Sequence, residues 1–128
     1  MAEDLVKLDI EERGDVVVAH VSGELDIAGA SRTGERIAEN VPTSARALVV
    51  NFSELEFIDS SGVAMLFGLA RRLGSRRQQL RVVAPGGDAV SRVLEIVEFD
   101  RAAPIYTDVD EAIADVGADG DGDGDGDA

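Results

Sequence analysis

One stretch of the chain constrains its fold more than any other, the nearly continuous apolar run from Ala47 to Phe52. A strand with one face in water alternates apolar and polar residues, whereas this run does not alternate, so both of its faces are expected to be covered. A short loop follows, and then a helix is predicted from Ser61 to Gly74, because apolar residues recur there at helical spacing up to a terminating glycine. A buried strand that leads into an amphipathic helix indicates an α/β fold.

The remaining segments extend this pattern on both sides. Two strands over 4–11 and 16–22, joined by the turn at Arg13-Gly14-Asp15, predict a hairpin. The pattern then predicts helices, strands and a final helix in alternation, over 31–40, 80–84, 88–97, 104–107 and 109–116. The order β-β-α-β-α-β-α-β-α predicts one α/β domain over residues 1–116, a mixed β-sheet of about five strands with helices packed against it. Residues 117–128 alternate Gly with Asp and are expected to form a disordered acidic tail.

Charge and composition exclude several classes of function. The formal net charge is −14, and the tail carries five Asp, which leaves −14 + 5 = −9 on the domain. Such a domain repels the nucleic-acid backbone, so no direct nucleic-acid binding is expected. The longest apolar run, Val63 to Ala70, is too short to cross a bilayer, so no membrane insertion is expected. The chain has no cysteine and Met1-Ala2-Glu3-Asp4 lacks the basic start of a signal peptide, which fits a cytoplasmic protein.

The chain offers little for catalysis. His20 is the only histidine, and its place within a strand indicates a structural role. Without cysteine or a second histidine, the familiar nucleophile pairs cannot be assembled, so we expect no enzyme, no cofactor and no metal site. A basic cluster (Arg71, Arg72, Arg76, Arg77 and Arg81) is expected to be a solvated face, with a site for an acidic partner as the alternative.

Polar residues are concentrated where the loop meets the predicted helix, in Asp59-Ser60-Ser61-Gly62. Helix N-termini favour Ser or Asp as caps and can also hold a phosphate. Ser60 is therefore either a cap or a site of modification, and Ser61 is a cap or a first-turn residue. Asp59 either stabilises the helix dipole or takes part in recognition by a kinase.

Three segments together resemble the STAS domain family, the fold of bacterial anti-sigma factor antagonists. Val21-Ser22-Gly23-Glu24-Leu25-Asp26 is similar to the family's G-E-L-D, and Phe57-Ile58-Asp59-Ser60-Ser61-Gly62-Val63 to its F-I-D-S-S-G-L junction. Val82-Val83-Ala84-Pro85 with Val90-Ser91-Arg92-Val93-Leu94 is similar to its fourth strand and third helix. The likeness extends from about Leu5 to Val116.

The resemblance implies a function for the junction. In this family the antagonist binds an anti-sigma factor that is also a serine kinase, phosphorylation of the first serine releases that partner, and a phosphatase restores binding. Ser60 is then the phosphorylation site, and Asp26, Asp59, Ser61 and Gly62 are the expected partner-binding residues, with Gly62 allowing a partner backbone to approach closely. Sigma-factor-dependent transcription is the regulated process.

Two features depart from the family pattern, and one alternative function stays open. Thr33 and Gly34 interrupt the first predicted helix, and a glycine there costs about 1 kcal/mol relative to alanine. The Gly-Asp tail is not part of the pattern either. The alternative is a STAS regulatory subunit of a membrane lipid or anion transport complex, in which Ser60 need not be modified.

Overall fold

The computed structural model describes residues 5–116, so the predicted tail over 117–128 and the chain start at 1–4 lie outside the described residues. Its strands are β1 (Val6–Arg13), β2 (Val16–Leu25), β3 (Ala47–Asn51), β4 (Leu55–Ile58), β5 (Gln79–Val83) and β6 (Ile105–Tyr106). Its helices are α1 (Ala30–Glu39), α2 (Ser60–Ser75), α3 (Ala89–Ile96) and α4 (109–116), with a short 3-10 turn at Phe99–Arg101. Each predicted helix is present to within about two residues at either end.

The strands form one mixed sheet in the order β1-β2-β3-β5-β6, with β4 paired to β2 beyond the end of β3. Strands β1 and β2 are antiparallel, and every other pair is parallel. The predicted mixed α/β architecture is confirmed, but the sheet has six strands rather than about five. A loop was predicted where β4 lies, and this prediction is wrong. The strand has no clear sequence pattern, because it has only four residues and its middle pair, Glu56 and Phe57, is exposed.

Strand β3 is covered on both faces, as its unbroken apolar run predicts. Leu48 and Val50 face a core that also contains the apolar sides of α1, α2 and α3. Ala47 and Val49 face a second, smaller core that is closed by Ala112 and Val116 of α4. The sheet is therefore sandwiched between three helices on one face and one helix on the other.

Helices α1 and α2 pack side by side, and Gly34 makes their close approach possible. A Cβ at Gly34 would lie 2.7 Å from Cγ of Met65 on α2, so a larger residue would push the two helices apart. Thr33 is buried in the same helix. The interruption in the sequence pattern of α1 is thus explained by packing against its neighbour.

The basic cluster is only partly the solvated face that was expected. Four of its arginines are exposed, but Arg81 is 5% exposed and donates a hydrogen bond from Nη2 to Oε1 of Gln79 at 2.7 Å. Its position on β5 turns it toward the face that α4 covers, because Leu80 and Val82 occupy the other face. Within residues 5–116 the helices are all too short or too polar to span a membrane.

Candidate functional site at the start of helix α2

The ends of β2 and β4 bring together the two acidic residues that the sequence places at the site. Leu25 pairs with Ile58 in parallel register, and the N–H of Asp59 donates to the carbonyl of Leu25 at 3.3 Å. Parallel strands lie about 4.8 Å apart, so Asp26 and Asp59 follow their strands side by side. Asp26 therefore lies at the same end of the sheet as Asp59-Ser60.

Gly23, a glycine in the first resembling motif, pairs with Val6 of β1 and with Leu55 of β4. Gly23 has φ +89°, and a Cβ there would lie 2.1 Å from the carbonyl oxygen of Leu5. The pairing of β2 with β4 shifts register between Gly23 and Glu24, which is the signature of a β-bulge. The extra residue of this bulge is Glu56 on β4, and beyond it Leu25 pairs with Ile58 and Asp26 comes level with Asp59.

Asp59 is the N-cap of α2. Its Oδ1 accepts hydrogen bonds from the N–H groups of Ser61 at 2.9 Å and Gly62 at 3.3 Å. Neither serine is the cap, because Ser60 is the first helical residue and Ser61 the second. Ser60 is exposed, and its hydroxyl makes no hydrogen bond to any residue in 5–116. The cap is thus separated from the exposed hydroxyl, which is free for other chemistry.

Two other predicted site residues, Asp26 and Gly62, contribute to the internal structure of the domain. Asp26 holds the turn into α1, since its Oδ1 accepts from the N–H of Ala28 at 3.0 Å and its carbonyl from the N–H of Ala30 at 2.9 Å. Gly62 is buried, and a Cβ there would lie 2.6 Å from Cγ1 of Ile58 and 3.1 Å from Cδ2 of Leu25. Internal packing therefore requires a glycine at this position, and partner contact by Gly62 stays a prediction.

In the part of the chain that the structure describes, neither a metal-ligand cluster nor a free histidine accompanies the exposed Ser60 hydroxyl. Among residues 5–116, side chains of His, Asp and Glu nowhere gather in a group that could hold a metal ion. His20 is engaged elsewhere, with Nε2 2.8 Å from Oε1 of Glu11 and Nδ1 accepting from Nδ2 of Asn51 at 3.0 Å. This network ties β1, β2 and β3 together, in line with the structural role expected of His20.

One exposed residue beside the site escaped the sequence reasoning. Ile27 follows Asp26 directly, and 80% of its surface is exposed, the highest value among the large apolar residues that are described. The sequence did contain a signal for this exposed residue: Ile27 is a large apolar residue that lies between the Asp at the end of a strand and the start of a helix.

A family model for the STAS domain matches residues 7–112, which covers all three motifs and all predicted site residues. The chain belongs to the STAS domain family. This STAS chain is 26% identical over 115 residues to the anti-sigma-F factor antagonist RsfB of Mycobacterium tuberculosis, which covers 90% of this chain and 93% of that protein.

Solved structures agree with this assignment. The crystal structure of an anti-sigma factor antagonist from Mycobacterium paratuberculosis superimposes with a TM-score of 0.79 at 31% identity, covering 90% of this STAS chain and 97% of that chain. The structure of the Bacillus cell fate determinant SpoIIAA in its phosphorylated form superimposes with a TM-score of 0.65 at 25% identity, covering 86% and 99% of the two chains.

Proposed function

We propose that this STAS protein is an anti-sigma factor antagonist whose binding is switched by phosphorylation of Ser60. In this proposal it binds an anti-sigma factor that is also a serine kinase, and phosphorylation of Ser60 releases that partner. Sigma-factor-dependent transcription is thereby regulated. The observation that carries the proposal is the exposed Ser60 hydroxyl at the first position of α2, with the capping duty assigned to Asp59.

The surroundings of Ser60 favour a switch that acts on the partner rather than on the fold. A phosphate adds a charge of about −1.5 to −2. The start of α2 offsets this charge by at most about 1 kcal/mol in an exposed place, and the N–H groups of Ser61 and Gly62 are already engaged by Asp59. The carboxylates of Asp59 and Asp26 oppose the new charge. The phosphate therefore gains little within its own domain, and its main effect falls on a partner surface packed against it.

The net charge of the chain and the proposed switch together define the partners that the proposal requires. A chain of net charge −14 is attracted to a protein with a basic surface and repelled by nucleic acid. The proposal needs a kinase and a phosphatase as protein partners, acts in the cytoplasm, and requires no catalysis by this chain. The roles of Asp26, Asp59, Ser61 and Gly62 in partner binding belong to the proposal as well.

Recovery of bound proteins from the cells that make this chain tests the proposal. Tagged wild type and Ser60→Ala are expected to retain a serine-kinase anti-sigma factor, whereas Ser60→Asp is expected to lose it by at least about tenfold, or 1.4 kcal/mol. Ser44→Ala is the matched control, because it removes an exposed hydroxyl from the loop before β3, outside the proposed site, and should bind as the wild type does. Equal recovery by all four chains contradicts the switch, and recovery of a membrane lipid or anion transport complex instead supports the alternative function.

A further inference from the structure

A groove of about 490 Å³ lies between α1 and α2, and one of its ends adjoins the phosphorylation site proposed above. Ser61 lines that end, while Glu35 and Arg72 lie along its polar margin. Its walls consist largely of small residues, with Ala30 on α1 and Ala64 on α2. The groove is thus a largely apolar surface that includes Ser61, the neighbour of Ser60 in the sequence.

Each of the two helices contributes a glycine to the lining of this groove, and the two glycines have different effects. At Gly34 the chain lets Met65 pack against α1, which brings the two helices close together. At Gly68 a Cβ would have only Nη2 of Arg71 nearby, at 3.9 Å, so no group of the described domain fills that space. The packing between the helices requires Gly34, whereas Gly68 leaves room that nothing inside the domain uses.

Ile27 makes the groove a more extensive apolar surface. It lies on the groove wall beside Asp26, and 80% of its surface is exposed to water. An exposed large apolar side chain next to an apolar groove is typical of a binding surface rather than of a solvated one.

Charge decides which occupant fits. A second copy carries the same net charge of −14 and is repelled, and anionic membrane surfaces and nucleic acids are repelled for the same reason. A basic protein is attracted. The groove extends along α2 from Ser61 to Arg72, about 16 Å at ~1.5 Å per residue, and the i to i+7 anchors of an amphipathic helix span about 10 Å.

We infer that this groove, with Ile27, receives the apolar face of an amphipathic helix of the anti-sigma factor. The inference rests on the proposed function and names how that partner is held. It also gives a reason for release: a phosphate on Ser60 adds bulk and about two negative charges at the end of an apolar contact, where removing them from water costs free energy. Affinity comes from the groove, and the phosphorylation state of Ser60 controls it.

Purified chains and the purified anti-sigma factor recovered with the wild type test this inference by titration calorimetry. Ile27→Ser is expected to weaken binding about tenfold or more, because it removes an apolar anchor at the interface. Ile96→Ser is the matched control: Ile96 is 71% exposed at the end of α3, and this variant should bind within about twofold of the wild type. Gly68→Leu, which fills the groove, is expected to weaken binding as Ile27→Ser does, while Gly68→Ala adds one methyl and has a small effect.

The outcomes separate the two proposals. If the wild type binds and Ser60→Asp does not, but Ile27→Ser and Gly68→Leu bind like the wild type, the groove inference is wrong and the proposed function stands. If Ile96→Ser loses as much affinity as Ile27→Ser, the effect is not specific to the groove and the inference is again wrong. If the wild type recovers no anti-sigma factor, the proposed function fails and the named occupant of the groove fails with it.

Discussion

Two glycines of helix α2 are predicted to respond in opposite ways to the same substitution. A Cβ at Gly62 would lie 2.6 Å from Cγ1 of Ile58, well inside the ~3.5–4.0 Å of a favourable carbon contact. Overpacking of this kind costs typically 1–3 kcal/mol, while the helix gains at most about 1 kcal/mol from alanine. Gly62→Ala is therefore expected to lower the free energy of unfolding by about 1–2 kcal/mol.

Gly68→Ala is the control, since the nearest atom to its added Cβ is Nη2 of Arg71 at 3.9 Å. Only the gain in helix propensity remains there, so the free energy of unfolding should rise by up to about 1 kcal/mol. Urea denaturation measures both variants. With slopes of about 1–3 kcal/mol per M, the midpoints should differ by roughly 1 M.

The packing argument fails if Gly62→Ala is as stable as Gly68→Ala. A Gly62→Ala chain that keeps wild-type stability but loses its partner would show instead that the glycine serves the approach of a partner backbone. The two roles are therefore separated by measuring unfolding and binding on the same variant.

Substitutions at three further positions test other parts of the structure. Gly23→Ala should destabilise the fold by more than about 2 kcal/mol in urea denaturation, because φ is +89° and the added Cβ would meet the carbonyl oxygen of Leu5 at 2.1 Å; wild-type stability would contradict this close approach of Leu5 to Gly23. Asp59→Ala should cost about 1 kcal/mol through loss of the α2 cap, Asp59→Asn should cost less, and equal stability of all three chains would contradict the capping role. Hydrogen bonds from Ser91 lower the pKa of Asp88 in the folded protein. The stabilisation by the ionised Asp88 is therefore fully present above the ordinary Asp pKa of about 3.9, and it is lost as the pH falls through the lower pKa of the folded state. Asp88→Asn should therefore lose less stability than the wild type between about pH 5 and pH 2, and parallel pH curves would contradict this assignment.

The sequence predicts the layers of this fold well, and it fails where distant residues decide the outcome. Apolar spacing located all four helices and the doubly buried β3, because burial imposes that spacing locally. Strand β4 was missed because it has only four residues, with a bulge at Glu56, and it pairs with β2, about thirty residues earlier in the chain. Periodicity within four residues cannot reveal such a partner.

In the candidate site, too, the sequence predicts what depends on local residues and misses what depends on distant ones. Two of the resembling segments predict Ser60, Asp59 and Asp26 as site residues, and the structure brings the ends of β2 and β4 together beside them, while their roles stay predictions. Which residue caps α2 was open in the sequence, because Asp and Ser are both good caps and only the backbone geometry chooses between them. The reason for Gly34 was equally hidden, since it depends on Met65 of another helix.

The intact mass of the protein, isolated from its own cells while they grow and while they are stressed, with phosphatases blocked and peptides mapped, tests the central claim most directly. The account predicts one phosphate, located on Ser60, with an occupancy that changes between the two conditions. An unmodified Ser60 in every condition, or a phosphate only on another residue, would contradict it.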